Sequence, residues 1–239
     1  MRRLITIAVV GIMLIVLALI MPRISPVQRL VNKLQGEKTV EDRLRQYGPA
    51  ARTRLGGYFE KHGVNYPPKR VILLVLKEEK ILQLYAEYAR GHFVLIKNYP
   101  ILAASGECGP KLCEGDCQVP EGIYRIVFLN PNSLYHLSMR LDYPNSFDRK
   151  MARVDGRTNL GSDIMIHGSN VSIGCIAMGD KVSEDLFVMA ADVGIKNIEV
   201  VIAPYDLRKN RQVKLPNNMP KWTKELYRDI CGEMNKLPQ

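Results

Sequence analysis

A histidine and a cysteine in the segment IMIHGSNVSIGCIAMGD, residues 164–180, are the side chains best suited to chemistry in this sequence. His167 ends an apolar run, and Cys175 follows after a loop built mostly from Gly, Ser and Asn. A thiol with a pKa of about 8.5 is mainly protonated at neutral pH, so a nucleophilic cysteine needs a base nearby. If the chain turns back after His167, the imidazole can take the thiol proton. The alternative is that both residues are simply packed, because cysteine is among the most buried residue types.

The residues around Cys175 offer the thiol further help. Ser172 is a candidate cap for a helical turn beginning at SIGC, and a helix N-terminus favours a thiolate through its free N–H groups and dipole. The N–H groups of Gly174 and Cys175 could also bind the oxyanion of a tetrahedral intermediate. Gly174 has no side chain to obstruct a carbonyl, and Gly168 lets the chain turn sharply after the histidine.

Short apolar or alternating segments predict the strands that position this pair. Gly, Pro and Asn separate the segments, a pattern typical of an all-β sandwich or barrel. We therefore predict a mainly β fold with flanking helices. The candidate strands cover residues 71–76, 81–88, 92–101, 122–129, 135–141, 163–167 and 198–204.

Three other segments have helical patterns. Apolar residues recur at helical spacing between residues 39 and 62, where Pro49 predicts a break into two short helices. Ser183 is a candidate N-cap for a helix that ends at Gly194. A last helix is predicted within residues 217–239.

An uninterrupted apolar stretch of eighteen residues, Leu4 to Met21, follows Arg2 and Arg3 at the N-terminus. A helix of this length spans about 27 Å, close to the thickness of a bilayer's hydrocarbon core. The arginines should stay in the cytoplasm and direct the rest of the chain outwards. We therefore predict a transmembrane signal anchor at residues 1–22. A cleaved signal peptide, the alternative, lacks an A-x-A-like site here.

Composition narrows the class of protein. The chain has 239 residues, 46% of them hydrophobic, and a formal net charge of +10. This charge suits an acidic partner or surface, or it is spread over a solvated surface. We predict no nucleic-acid partner, because zinc-finger spacing and aromatic ribonucleoprotein motifs are lacking.

The predicted organisation is an anchor at 1–22, a membrane-proximal helical segment at 23–69, a catalytic domain at 70–204 and a basic C-terminal helical extension at 205–239.

The chain has five cysteines, and an odd number in an exported protein leaves at least one thiol unpaired or bonded to another molecule. If Cys175 is free, the other four, which include Cys231, can form two disulfides in three connectivities. Cys108, Cys113 and Cys117 lie in one short loop, where we expect at least one bridge. A zinc site is the alternative, but the C-x4-C-x3-C spacing lacks the usual C-x2-C pair, so we predict no metal.

Three long segments carry motifs of a known family. They read SGECGPKLCEGDCQVPEGIYRI, NPNSLYHLSMRLDYPNSFDR and HGSNVSIGCIAM. The last resembles the HG…S-x-G-C signature of L,D-transpeptidase catalytic domains of the YkuD type, and the other two resemble segments of its YafK-like branch. The resemblance covers about residues 71–204. It implies a mostly β domain of the bacterial envelope, a sandwich or barrel, that acts on peptidoglycan stem peptides without a cofactor.

The resemblance also implies roles for individual residues. Cys175 would be the nucleophile and His167 its general base and then acid, with a thioester as the intermediate. Ser172 and Gly174 fill the S-x-G positions, supporting the loop and the oxyanion. The bond attacked would lie beside meso-diaminopimelate. The implied context is cell-wall biogenesis and cell shape, in the periplasm, with the N-terminal helix in the membrane.

Two positions depart from the family pattern. Many members read S-H-G-C-I-R, whereas this chain has Ile173 for the second histidine and Ala177 for the arginine. Loss of the arginine removes a bidentate clamp for a carboxylate. Arg140, Arg149, Arg153 or Arg157 could take over this role. The substrate-binding candidates are His136, Tyr143, Asn145 and Arg149. The alternative for His136 is a histidine hydrogen-bonded within the sheet, and the alternative for the segment YPNSFD, residues 143–148, is a simple turn.

Other functions remain open at this point. The same thioester released to water would make the protein a hydrolase, for example an amidase that detaches an envelope lipoprotein from peptidoglycan. A non-catalytic wall-binding module is a more distant alternative, because a binder needs neither His167 nor Cys175.

Overall fold

A nine-stranded sheet lies at the centre of the structure, a computed structural model that describes residues 36–209 and 219–238. In chain order the strands are β1 (Val71–Leu76), β2 (Ile81–Ala89), β3 (His92–Pro100), β4 (Ala103–Ala104), β5 (Gly122–Ser133), β6 (His136–Leu141), β7 (Met165–His167), β8 (Ile176–Ala177) and β9 (Ile198–Ala203). They lie side by side in the order β3-β2-β1-β9-β5-β6-β7-β8-β4. With the helices on its faces, this sheet confirms the predicted mainly β fold with flanking helices.

Strand β5 joins the two halves of the sheet. Residues 122–125 pair antiparallel with β9, and residues 126–133 pair antiparallel with β6. The half that continues from β6 through β7 and β8 to β4 carries the candidate catalytic residues.

Alternate residues of β1 face two apolar clusters on opposite sides of the sheet. Leu73 and Val75 belong to the larger cluster, and Ile72 and Leu74 belong to the second. Because both faces of the strand are covered, every position in VILLVL is apolar and buried.

Helix α1 (Val40–Glu60) is continuous, so the predicted break at Pro49 is wrong. A proline inside a helix costs about 3 kcal/mol, because it lacks an N–H donor and clashes with the preceding turn. Leu55 and Phe59 are both 0% exposed. Burying each side chain contributes about 1.5–3 kcal/mol, which offsets the cost of the proline. Thr39 caps the helix in a capping box.

Helix α2 (Ser146–Asp155) corrects the interpretation of YPNSFD as a turn. Asn145 is its N-cap and accepts hydrogen bonds from the N–H groups of Phe147 and Asp148. Asp148 in turn accepts one from the N–H of Asn145 at 2.8 Å. The polar residues of this motif therefore start a helix as a capping box.

Helix α3 (Asp180–Val193) begins three residues before Ser183, so the predicted N-cap is wrong. Gly179 occupies the cap position, and the hydroxyl of Ser183 donates to the carbonyl oxygen of Asp180 within the first turn. Helix α4 (Thr223–Met234) confirms the helix predicted near the C-terminus.

The predicted signal anchor, residues 1–22, lies outside the described residues. Across residues 36–209 and 219–238, no helix has both the length and the apolar character that a membrane crossing requires. The described residues from Thr39 onwards belong to one compact unit.

Candidate active site

Strands β7 and β8 bring the chain at His167 beside the chain at Cys175. The two strands are parallel, with His167 opposite Ala177. The pairing continues beyond them, because the N–H of Met178 donates to the carbonyl oxygen of His167 at 2.8 Å. Cys175 directly precedes β8, so the histidine and the cysteine lie on neighbouring segments of one sheet.

The imidazole of His167 is buried, and the next residue fixes its tautomer. Nδ1 lies 2.6 Å from the carbonyl oxygen of Gly168. A carbonyl oxygen only accepts hydrogen bonds, so Nδ1 carries the proton and Nε2 has a free lone pair. Burial lowers the pKa of His167 below its ordinary value of 6.5, and the bond to Gly168 partly opposes this shift. The imidazole of His167 is therefore neutral, and its Nε2 is able to accept a proton.

Close packing around His167 holds the imidazole and the turn that follows it. The ring lies at a tilt against the ring of Tyr135, with the centroids 4.8 Å apart. A Cβ atom at Gly168 would lie 2.7 Å from Oδ1 of Asp180 and 2.8 Å from the carbonyl oxygen of Tyr135. Only glycine fits there, which explains the residue after the histidine. The same Oδ1 of Asp180 accepts a hydrogen bond from the N–H of Ser169 at 2.7 Å.

The thiol of Cys175 is half-buried and donates to the backbone ahead of β7. Sγ lies 3.6 Å from the carbonyl oxygen of Asp163. Burial raises the pKa of Cys175 above its ordinary value of 9.0, while the backbone of Met165 and the charge of Lys111 act in the opposite direction. There is no hydrogen bond between Cys175 and His167, both of which the structure describes. Proton transfer between them therefore requires the thiol to turn away from Asp163.

Two serines hold the loop before the cysteine. Oγ of Ser172 accepts from the N–H of Cys175 at 3.0 Å and donates to the carbonyl oxygen of Cys175 at 2.6 Å. Oγ of Ser105 accepts from the N–H of Gly174 at 2.6 Å. Residues 172–175 are not helical, so the predicted helical turn and its dipole effect on the thiol are wrong.

The loop geometry bears on the predicted oxyanion site. The N–H groups of Gly174 and Cys175 both donate to serine hydroxyls, so a substrate oxygen must compete for them. Gly174 has φ of +82°, which favours glycine at this position. Ser105 could not be predicted as a partner of Gly174, because the two residues lie 69 positions apart and no local pattern links them.

Cys175 opens onto a cleft of about 280 Å³. Ile173 and Gly174 of the cysteine loop line the cleft together with Asp163. The wall is completed by Lys111, a buried side chain that donates to Asp116 and to the carbonyl oxygen of Cys113. The thiol is thus accessible from a shaped opening, as attack on a bound amide requires.

The side chain of His136 contacts residues of two helices. Its Nε2 lies 3.1 Å from Oε1 of Glu184 in α3, and its ring packs edge-on against Tyr47 of α1 at a centroid distance of 5.0 Å. His136 is not among the described residues that line the Cys175 cleft. Its contacts connect β6 to the helices that cover the sheet.

The other three substrate-binding candidates occupy different environments. Tyr143 is buried and donates to the carbonyl oxygen of Leu160 at 2.9 Å. Asn145 caps α2 and also donates to the carbonyl oxygen of Ile123 at 3.0 Å. Arg149 is exposed and lines a second cavity next to the cleft. The structure therefore brings only Arg149 of these three towards the open surface near Cys175.

All five cysteines are free thiols in the structure. The bridge expected among Cys108, Cys113 and Cys117 is not present. Sγ of Cys108 lies 3.4 Å from the hydroxyl of Tyr227, whereas Cys113 and Cys117 are exposed. Among the described residues, no three His, Cys, Asp or Glu side chains are grouped as metal ligands.

This arrangement of a buried histidine and a cysteine on adjoining segments agrees with a comparison of the sequence with known families. The family described as YkuD, the L,D-transpeptidase catalytic domain, matches residues 69–202, more than half of the 239 residues. The chain belongs to this family. The L,D-transpeptidase match includes every strand of the sheet except the last residue of β9.

Individual relatives match only part of this L,D-transpeptidase family chain. YafK, a candidate L,D-transpeptidase of Escherichia coli strain K12, is 33% identical over 140 residues, 56% of this chain and 54% of YafK. YafK of strain O157:H7 gives the same values. The chain thus spans about half the length of the curated relatives it matches.

Solved structures with sequence similarity include two other bacterial proteins. The helical cell shape determining protein Pgp2 of Campylobacter jejuni is 29% identical, with a TM-score of 0.45 over 59% of this chain and 50% of Pgp2. Bd1075 of Bdellovibrio bacteriovorus is 25% identical, with a TM-score of 0.41 over 59% of this chain and 50% of Bd1075.

Proposed function

We propose that the protein is a cysteine-dependent acyltransferase that acts on peptidoglycan stem peptides and remodels the cell wall. Membership of the L,D-transpeptidase family supports the reaction class. The observation that carries the proposal is the hydrogen bond from Nδ1 of His167 to the carbonyl of Gly168. This bond leaves Nε2 as a proton acceptor on the strand beside Cys175.

The first half of the reaction forms a thioester. The thiol of Cys175 turns from Asp163 towards His167, Nε2 removes its proton, and Sγ attacks the carbonyl carbon of the scissile amide. The tetrahedral intermediate carries an oxyanion, which would accept hydrogen bonds from the N–H groups of Gly174 and Cys175 in place of the two serine hydroxyls. When the C–N bond breaks, His167 returns the proton to the leaving amine and the acyl group stays on sulfur.

The second half releases the acyl group. An amine or a water molecule enters the cleft, gives a proton to Nε2 of His167 and adds to the thioester carbonyl. The C–S bond then breaks and the proton returns to the sulfur, which restores the neutral pair. An amine acceptor gives transfer, and water gives hydrolysis, so the same residues serve both outcomes.

The proposal places the reaction in the bacterial envelope. Residues 1–22 would anchor the chain in the inner membrane, and residues 70–204 would carry the catalytic domain in the periplasm. A basic chain suits this site because peptidoglycan stem peptides carry carboxylates. The function requires no metal and no organic cofactor, because the thiol and the imidazole provide the nucleophile and the proton transfers.

Mass spectrometry of muropeptides tests the proposal. Purified protein is incubated with tetrapeptide muropeptides and with lipoprotein-linked muropeptides. A cross-linked dimer identifies transfer, and loss of the lipoprotein remnant without cross-links identifies hydrolysis; either product with an acyl adduct on Cys175 supports the thioester mechanism. Cys175→Ala should abolish both products, whereas Cys231→Ala, a matched change in α4, should not. Full activity in Cys175→Ala would refute the mechanism.

A further inference from the structure

A second cavity adjoins the cleft that contains Cys175. It has a volume of about 520 Å³ and shares Glu114, Gly161 and Ser162 with the wall of the cleft. The two spaces therefore meet along the segment 161–162. A peptide that presents an amide to the thiol can extend across this segment into the larger cavity.

Arginine side chains from α2 line this second cavity. Arg149 and Arg153 are four positions apart on the helix, so their side chains lie on the same face. Both are exposed, and neither forms a salt bridge or side-chain hydrogen bond with any residue in the described part of the chain. Arg149 acts only through space on the neighbouring carboxylate of Asp148. The two guanidinium groups are therefore available to a ligand.

Arg157, the third arginine of the cavity, is already neutralised and held in place. Two of its nitrogens donate to Oδ2 of Asp155 at 3.0 and 2.9 Å, and Nη1 donates to the carbonyl oxygen of Leu112 at 2.7 Å. Its guanidinium also lies over the ring of Trp222, 5.8 Å from the centroid. Arg157 thus supports the cavity wall and contributes little free charge.

The second cavity therefore carries an excess of positive charge. Among the described residues that line it, Glu114 is the one acid, against Arg149 and Arg153. A guanidinium offers a planar pair of donors that matches a carboxylate, and such paired bonds are stronger than neutral ones. The chemistry that fits this cavity is an anion with carboxylate groups.

We propose that Arg149 and Arg153 form a carboxylate-binding subsite for the peptide whose amide Cys175 attacks. This inference rests on the proposed function, because it assumes a stem peptide in the cleft. The subsite holds a free carboxylate of that peptide some distance from the scissile bond, and it thereby sets which end of the peptide enters the cleft.

Binding to the full chain carrying Cys175→Ala tests this subsite without turnover. The probe is a tetrapeptide muropeptide with free carboxylates, compared with the same muropeptide after amidation of its carboxylates. Adding R149Q and R153Q to the Cys175→Ala background should weaken binding of the free acid about ten-fold. Amidation should weaken binding to the Cys175→Ala parent similarly and have little further effect on the arginine variant. K150Q with K196Q removes the same charge from exposed positions outside the cavity and should change binding less than two-fold.

The outcomes separate the subsite from the proposed function. If the Cys175→Ala parent and the arginine variant bind the free acid equally well, the subsite proposal is wrong. It is also wrong if amidation of the muropeptide weakens binding to both proteins by the same factor. If wild type still forms the acyl adduct on Cys175 in that case, the proposed function stands alone. If the parent binds no muropeptide and wild type forms no adduct, both proposals are wrong. Unchanged thermal unfolding and unchanged iodoacetamide labelling of Cys175 in R149Q/R153Q confirm that the variant is folded.

Discussion

Nδ1 of His167 lies 2.6 Å from the carbonyl oxygen of Gly168, the next residue in the chain. A backbone carbonyl thus takes the place that a carboxylate occupies beside many catalytic histidines. It orients the ring and fixes the tautomer without adding a negative charge. Because no carboxylate among residues 36–209 and 219–238 stabilises the imidazolium, burial dominates and the pKa of His167 is lowered. The resting site is therefore a neutral thiol and a neutral imidazole.

The pH dependence of the reaction follows from this neutral pair. Burial places the pKa of His167 below 6.5 and that of Cys175 above 9.0. Activity needs His167 unprotonated, so kcat/KM should hold through pH 6.5 and fall only as the pH drops through the lowered pKa of His167. Iodoacetamide labelling of Cys175 in the free enzyme should keep rising up to and beyond pH 9. A labelling rate constant that is already maximal at pH 7 would indicate a preformed ion pair and contradict this assignment.

Ser105→Ala should weaken the loop that carries Cys175. The change removes the acceptor of the Gly174 N–H, a bond of 2.6 Å in the structure. We expect a loss of about 1 kcal/mol in the free energy of unfolding and a roughly ten-fold lower kcat, because the thiol is less well positioned. Ser146→Ala, at an exposed position in α2, is the control for serine removal. Wild-type kcat in Ser105→Ala would show that this bond does not order the loop.

Glu121→Gln should destabilise the fold. Glu121 is 1% exposed, and its carboxylate accepts hydrogen bonds from Nζ of Lys77, the N–H of Gly109 and the hydroxyl of Tyr227. The amide leaves the buried ammonium of Lys77 without a counter-charge, which costs about 3–5 kcal/mol. Urea denaturation measures the loss. Adding Lys77→Met should recover part of it, and a loss below 1 kcal/mol in Glu121→Gln would mean that Lys77 finds another partner.

Asp148→Asn should stabilise the protein near neutral pH. Burial raises the pKa of Asp148 from 3.8 to about 6, against the opposing hydrogen bonds from Asn145 and Tyr124. The folded protein therefore binds this proton more tightly than the unfolded chain, so wild-type stability falls as the pH rises from about 4 to about 6. The variant lacks this dependence and should gain about 2 kcal/mol at pH 7, with the gain vanishing near pH 4. A gain that stays constant from pH 4 to pH 7 would contradict the shift.

The strands could be predicted because their signals are local. The run at Val71–Leu76 is bounded by charged turn residues, and the sheet covers both of its faces, so its predicted and observed ends coincide. The helices depended on packing that no local pattern contains. Pro49 is a helix breaker by propensity, yet burial of the following turns keeps α1 intact. Helix α2 begins at a capping box that is also a valid turn motif, so only the fold decides between the two.

In the candidate site, too, the local contacts could be predicted and the long-range contacts could not. His167, Gly168, Ser172 and Cys175 lie within nine residues, and their contacts with one another are short-range. The hydroxyl of Ser105 reaches Gly174 from the connection after β4, which pairs with β8. Such long-range contacts depend on the strand order, and residue spacing alone does not contain them.

The parallel pairing of β7 with β8 has one more consequence. His167 lies opposite Ala177 in that pairing, so hydrogen bonds between the strands set the separation of His167 and Cys175. The loop that joins the two strands can then vary in length. Residues can be inserted between Ser169 and Val171 or removed there while His167 and Cys175 keep their places, provided that Gly168 and the hydrogen bond between Ser172 and Cys175 remain.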